Sequence, residues 1–415
     1  MQDAHSGKHL SNTHAPPFAT ACVNLPDDLF IWEILVRLPV KYLMIYKDIS
    51  PFWCAAIVDP GFVHRHRDFS CASPPSMLIV PRMVSFDNDS ELSEDINFHR
   101  LCMGKTLGTI EEEEKMELML KKACPPEAEG ITNKIFPTHC DGLVAIATLT
   151  DQVFVCNPAT QELVALPLGT PDVRTLKDPS AAIGFDLSRN QYIVARYFYR
   201  QYEIDTTSGV LDYEIGHEVF MLGGDSWQLT DCPPDAIGDT RPVFMQGSFY
   251  WGTYAPENIQ SGVLVRFILR KRTFDVVPCP PGYFYHYDLD HLADLDGKLC
   301  YVNNISETTF DVWQLEDDGR QYPKWSLRCR IDPFDDGLGA DAFFPIWAGR
   351  GGIMVAVDYE KLYWCDEKSG YMDELVDLNG EMDLERGDSE DDDNFNRYHV
   401  IPYTESLISI TICNY

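Results

Sequence analysis

A thiol beside an imidazole is a pairing from which a nucleophile can be built, and His139-Cys140 offers it. Successive residues of a strand face opposite ways, so these two cannot aim at each other. Gly104-Lys105-Thr106 has the lysine and hydroxyl of a phosphate loop, but the earlier glycine of such a loop falls on His99. Gly224-Asp225-Ser226-Trp227-Gln228 places a serine as a nucleophile elbow would, yet Gln228 stands where the second glycine is required. Asp87, Asp89 and Glu91 begin like a calcium loop, with Leu92 at the glycine position and Phe98 at the closing glutamate. His64 and His66 flank Arg65 without further ligands nearby and read as surface residues. The expectation is no catalytic residue, no cofactor and no metal. A propeller hydrolase remains the enzymatic alternative, and it needs convergent acids that spacing alone does not place.

The elements that would hold such residues change character along the chain. Residues 1–24 are rich in Ser, His, Ala, Thr and Pro without apolar periodicity and read as a disordered extension. From Leu25 to Arg67 the pattern is helical. Asp27 or Asp28 can cap a first helix carrying Leu29, Ile31, Ile34, Leu35 and Leu38, which Pro39 stops. Leu43, Tyr46 and Ile49 continue the period in a second helix. Ser50-Pro51 opens a third through Trp53 and Ile57, ending at Asp59-Pro60-Gly61. Three short helices in about 40 residues cannot bury so many large apolar groups alone, so a partner must cover the surplus.

After residue 75 the period becomes alternating, with many short strand-like runs between turn sequences. A weak repeat recurs at roughly 45–50 residues, which is the spacing of propeller blades. One half of the unit is a turn followed by a strand: Asp141-Gly142-Leu143-Val144, Gln246-Gly247-Ser248-Phe249 and Asp296-Gly297-Lys298-Leu299. The other half is strand, polar turn, strand, as in Val153–Pro167 and Val263–Pro280. The fold class is therefore a small N-terminal three-helix module followed by a β-propeller of six or seven blades over 68–415. A repeat-free sandwich, or two, is the competing architecture. Two acidic inserts interrupt the strands: an acidic helix or loop near 111–117, and the loop 385–393.

Composition bounds the function. With 33 Lys+Arg against 65 Asp+Glu, the net charge of −32 opposes nucleic-acid backbones and anionic membrane surfaces. Acids and bases balance within 1–24 and within 25–67, so the whole excess lies in 68–415 and should steer basic partners. No apolar run reaches the roughly 18 residues of a membrane span. The 13 cysteines include no C-x-x-C pair, as expected in the reducing cytoplasm or nucleus.

Leu25–Leu29 (LPDDL), Glu33–Leu35, Arg37–Lys41, Ile49-Ser50 with Trp53, and Asp59, Pro60 and Phe62 occur in an order that resembles the F-box of plant proteins. Asp141-Gly142-Leu143, Cys156-Asn157-Pro158-Ala159-Thr160, Ile183-Gly184-Phe185-Asp186, Asp225-Ser226-Trp227 and Gly247-x-Phe249-Tyr250-Trp251 resemble the F-box-associated, kelch-like region that follows it. The resemblance implies a substrate-receptor subunit of an SCF-type cullin-based ubiquitin ligase, itself non-catalytic. Its F-box would dock a Skp-type adaptor, and through it the cullin scaffold, while the β domain selects a target protein. The adaptor contacts implied are Leu25, Pro26, Leu29, Ile34, Leu35, Leu38, Pro39, Leu43, Ile49 and Trp53. Pro51 and Asp48 depart from the family pattern. Pro51 is tolerated at a first helical position, whereas an unpaired Asp48 carboxylate facing the adaptor weakens docking. A non-degradative binding scaffold is the alternative.

Overall fold

The computed structural model describes residues 29–84, 95–102, 116–123, 136–148, 150–174, 181–204, 211–238, 241–253, 262–283, 290–306, 309–316, 324–331, 342–382 and 395–410. Leu25, Pro26, Asp27, Asp28, the 87–91 and 104–106 runs, most of the 111–117 insert and the 385–393 loop fall outside these residues.

The first expected helix is not regular. Phe30–Ile34 forms a π turn and Leu35–Arg37 a 3-10 turn, after which Leu38 is extended and Pro39 begins the next element. Helix α1 spans Val40–Ile49 and α2 spans Pro51–Ile57, with Ser50 at its N-cap position. Helix α2 stops ahead of Asp59-Pro60-Gly61 as expected, but the same residues also start a further helix, α3, Pro60–Cys71. The Asp59 carboxylate accepts from the amides of Gly61 (2.9 Å) and Phe62 (3.2 Å), and Pro60 takes a first-turn position that needs no N–H. The three-helix expectation is thus corrected at both ends: the first is a distorted double turn, and a further helix runs past Arg67.

The β region is a propeller of six four-stranded antiparallel sheets. Blade 1 contains β1 (Ser76–Val84), β2 (Asp95–Leu101) and β3 (Met116–Ala123); blade 2 contains β4 (Thr138–Cys140), β5 (Leu143–Ala147), β6 (Val153–Asn157) and β7 (Glu162–Ala165). Blade 3 runs from β8 (Ala181–Asp186) through β9 (Gln191–Ile204) and β10 (Leu211–Met221) to β11 (Gln228–Leu229). Blade 4 holds β12 (Val243–Met245), β13 (Ser248–Gly252), β14 (Val263–Ile268) and β15 (Thr273–Pro278). Blade 5 holds β16 (His291–Leu295), β17 (Lys298–Ser306), β18 (Thr309–Glu316) and β19 (Lys324–Ile331). Blade 6 holds β20 (Phe343–Gly349), β21 (Gly352–Val357), β22 (Lys361–Asp366) and β23 (Met372–Asp377). A short α4, Leu378–Glu381, follows. The last strand, β24 (Phe395–Tyr403), pairs with β1 from Ser76↔Tyr403 to Val84↔Phe395 and supplies the inner strand of blade 1. The inner strands β4, β8, β12, β16, β20 and β24 touch in succession around a central channel.

The repeat seen in the sequence is the link from inner to second strand. Asp141-Gly142, Gln246-Gly247, Asp296-Gly297 and Arg350-Gly351 all have positive φ at both positions, as a two-residue hairpin of matching twist requires. Blades are tied to their neighbours by indole donors: Trp227 Nε1 donates to Pro167 O (2.6 Å), and Trp325 Nε1 to Pro278 O (2.7 Å). Between blades, apolar faces close into dry layers such as Phe249, Trp251, Val265 and Phe267.

Candidate functional site

The helical module divides its apolar residues between two sides. Leu35, Val36, Val40, Leu43, Ile57, Phe62 and Val63 are buried, in one contiguous cluster with Leu143, Ala145 and Val155 of blade 2 and with Leu407, Ile408 and Ile410. Leu29 (50% exposed), Ile34 (40%), Ile45 (56%) and Ile49 (63%) remain in solvent, together with Tyr42, Phe52 and Val58. Tyr42, Ile45 and Ile49 fall three, four and seven positions apart on α1, so they form one stripe. Trp53 sits half-buried beneath, stacked on Phe30 (centroids 5.9 Å) and edge-on to Tyr46 (4.9 Å).

Ten residues were expected to face the adaptor, and eight of them lie among the described residues. The structure leaves Leu29, Ile34 and Ile49 exposed, Leu38, Pro39 and Trp53 half-buried, and Leu35 and Leu43 without exposure. Leu35 and Leu43 brace the module from within and offer no surface. Tyr42, Ile45, Phe52 and Val58 are equally exposed and were not among the ten, although the α1 stripe was readable at helical spacing from Ile49 backwards. Asp48 is exposed at the edge of that stripe.

The joint between module and propeller is polar at its centre. Helix α1 has Pro39 at its N-cap and no side-chain cap of its own; Glu405 Oε1 accepts from Val40 N (3.1 Å) in its place. The other Glu405 oxygen accepts from Arg100 Nη1 (3.1 Å), and Arg100 also bridges to Glu117, which in turn accepts from Lys41 Nζ (3.2 Å). Burial opposes ionisation of Glu117, but Arg100 and Lys41 hold its pKa below the usual carboxylate value. Glu117 therefore belongs to strand β3 and to this joint, correcting its assignment to a solvated acidic insert. A second contact joins Arg67 on α3 to Asp141 (3.4 Å), which also accepts from the Tyr192 hydroxyl (2.8 Å). His66 is buried, not superficial: its Nε2 bonds to Leu38 O (3.0 Å), and burial lowers its pKa.

The other chemical candidates are placed apart. Cys140 points into the apolar cluster, where burial raises its thiol pKa, while His139 lines the central cavity. Ser226 and Trp227 lie beyond β10 in a bend, with the indole used as a blade tie. Phe98 is fully buried in β2. Asn157 of the Cys156–Thr160 motif holds its own turn by accepting from Ala159 N (3.1 Å). Its Nδ2 donates to the carbonyls of Ser406 (3.0 Å) and Ile408 (2.8 Å), fastening the segment after β24. Among the described residues no group of three or more His, Cys, Asp or Glu could hold a metal ion, and no helix is long and apolar enough to cross a membrane.

Comparison with known families gives a match to the model described as F-box associated beta propeller domain over residues 108–334. The chain belongs to this family. Relatives of the F-box-associated chain include the Arabidopsis thaliana F-box protein At1g30790, 26% identical over 348 residues, covering 80% of this chain and 82% of that protein. Another is the Arabidopsis thaliana F-box protein At1g47810, 24% identical over 329 residues, covering 74% and 87% respectively. Among solved structures, the chain titled "Structure of YjhT" matches with a TM-score of 0.40 at 12% identity, over 59% of this chain and 84% of that one. With its helical module ahead of a C-terminal F-box-associated propeller, the chain is a plant F-box protein.

Proposed function

We propose that this F-box protein is a non-catalytic substrate receptor of an SCF-type cullin-based ubiquitin ligase. Its helical module docks a Skp-type adaptor, and its propeller holds a target. The observation that carries the reading is the division of the module's apolar residues. One side is sealed onto blade 2, and the other leaves Leu29, Ile34, Tyr42, Ile45, Ile49 and Phe52 in solvent, more apolar surface than so small a unit exposes without a partner. Holding a target beside a loaded conjugating enzyme makes transfer to a target lysine effectively intramolecular, so no reacting group is required of this chain. The acidic balance of 68–415 supports a target with a basic face, attracted at long range, in the cytoplasm or the nucleus.

The test is co-purification of the full chain with a Skp-type adaptor and cullin. Ile49→Asp and Ile34→Asp should each abolish adaptor capture while leaving the thermal midpoint unchanged, because both residues are exposed. Capture that survives both substitutions overturns the reading. A second reading, a binding scaffold outside any ligase, is favoured by Asp48, whose carboxylate is exposed beside Ile45 and Ile49. Desolvating it against an apolar partner costs free energy, so Asp48→Ala should tighten adaptor binding by about tenfold in calorimetry. If Asp48→Ala leaves affinity unchanged, Asp48 lies outside the contact.

A further inference from the structure

Among the described residues, one cation of the central channel, Arg241, has no ion-pair partner. Arg241 stands just before β12, and its Nη1 donates across the channel to Val400 O (3.4 Å) on β24, the strand diametrically opposite in the ring. Among the described residues it forms no ion pair, and that carbonyl is its one hydrogen-bond partner. A guanidinium carries five N–H donors, so most of its fork is unused by the protein. Arg241 lines a cavity of about 360 Å³ that extends to Ser73 and Pro75 in the link between α3 and β1, and to three carboxylates: Asp141, bonded to Arg67, Asp296, bonded to Arg328, and Asp294, whose pKa burial raises. That volume lies within the range of small-ligand sites.

An aromatic collar, open on the side of blades 3 and 4, stands beside this cation and outside the lining of that cavity. Phe136, His291, Phe344, Tyr359 and His399 are linked by ring contacts of 4.4–6.4 Å, and Arg397 lies over Tyr359 at 5.3 Å. Phe136, Arg241, His291 and Phe344 stand where the inner strands begin, whereas the module rests on Asp141 and Glu405, where inner strands have ended. The collar therefore faces away from the module. Burial holds His139 at a pKa of about 3 and His291 at about 4, with Arg241 acting in the same direction, so both are neutral near pH 7. Burial lowers Arg241 only to about 10, and it stays charged. The layer thus carries the charge and the largely unused donor fork of Arg241 beside aromatic rings, with Arg397 held over Tyr359 at its edge.

We propose that the Arg241 layer of the channel is a binding site for a carboxylate attached to an apolar or aromatic body. One guanidinium balances one carboxylate and matches its two oxygens in a plane. A phosphate, with nearly twice the charge, is only half balanced by Arg241 alone. The site lies in a molecule of net charge −32, so it selects at contact range, after steering by the surface has ended. The carboxylate can come from a free small acid or from an Asp or Glu side chain at the tip of a bound protein. Assigning the second source to a target rests on the receptor reading; carboxylate binding itself does not.

Calorimetric titration of the full chain near neutral pH tests this with 3-phenylpropionate, its neutral amide, phenylphosphonate, and the peptide Ac-Gly-Phe-Glu-Gly-NH2 beside its Gln counterpart. The acids should bind at least about tenfold more tightly than the matching amides, and Arg241→Gln should remove that difference. Binding of the free acid alone marks a small-molecule site; binding of the Glu peptide as well marks a side-chain pocket. Arg241→Gln should also leave the thermal midpoint unchanged or raise it, since it removes a desolvated charge that has no counter-ion. Equal binding of acid and amide, tighter binding of phosphonate, or no acid bound at millimolar concentration overturns the proposal. Unfolding of both Arg241→Gln and Arg241→Lys also overturns it, by making Arg241 a structural plug. Adaptor capture is unaffected in every case, which separates failure here from failure of the receptor reading.

Discussion

Gly142 carries two constraints at once. Its φ of +82° lies in the region that L side chains avoid, and a Cβ there would come within 2.6 Å of Thr404 O and 2.8 Å of Ser406 Oγ. Gly297 has the same role in blade 5 with a φ of +71°, but a Cβ there would meet nothing within 4 Å. Gly297→Ala should therefore cost about 1–2 kcal/mol, the strain of positive φ alone. Gly142→Ala should cost more, because the segment after β24 must also shift. Urea unfolding of the two variants measures the difference; equal costs would mean that Thr404 and Ser406 yield freely. At this scale the sequence was only half legible. The Asp-Gly pairs announce tight hairpins by residue type, but nothing in Asp141-Gly142 says that its turn is packed under residues 404–406.

Helix α1 is an element completed by a distant one. Its first amide is accepted by Glu405, which Arg100 holds from the other side, and both side chains are largely buried. Glu405→Ala should cost on the order of 2 kcal/mol, as expected for losing hydrogen bonds to a charged group, and should loosen the module before the propeller. Hydrogen exchange would show faster amides in 40–49 with β4–β7 unchanged; uniform acceleration of both would contradict a local role. The sorting of the preceding turns was not legible in the sequence. A period of 3.6 puts Ile34 and Leu35 on one face, but the π turn over Phe30–Ile34 followed by a 3-10 turn rotates them apart, one into solvent and one into the core. The fourth helical segment was misread because Asp59-Pro60-Gly61 has the composition of a terminator and the geometry of a cap.

For the whole molecule, acid sensitivity follows from its buried imidazoles. His139 and His217 have folded pKa values of about 3 and His291 of about 4, all lowered by burial from 6.5. His217 is enclosed by Phe267 (4.5 Å) and Phe274 (4.9 Å), with its Nδ1 bonded to Thr230 Oγ1 (2.6 Å). Because the unfolded chain takes up these protons first, their stabilising effect is complete above pH 6.5 and declines as pH falls towards 4. Each of the three contributes a slope of up to about 1.4 kcal/mol per pH unit below 6.5, so a loss of about 2 kcal/mol apiece, up to about 6 kcal/mol in all, is expected by about pH 5. Carboxylate protonation, which relieves the excess negative charge, begins only nearer pH 4. Denaturant unfolding across that interval tests the expectation, and a flat profile contradicts it. The architecture was legible as a repeat, but the blade count was not. Inner strands as short as β4 and outer strands as short as β11 carry too few residues for a period to register, and the partner of β1 lies at the far end of the chain.

That last pairing also fixes an order of events. The ring stays open, with the inner edge of β1 unpaired, until residues 395–403 have emerged and found residues 76–84. The residues that follow are the ones on which the module sits: Glu405 accepts from Val40, and Ser406 Oγ donates to Asp141 O (2.6 Å). Closing the ring and seating the module are thus one step, which requires residues 395–406. A product lacking residues 395–406 keeps a bare sheet edge and a helix without its cap, and those two features distinguish it from the closed ring.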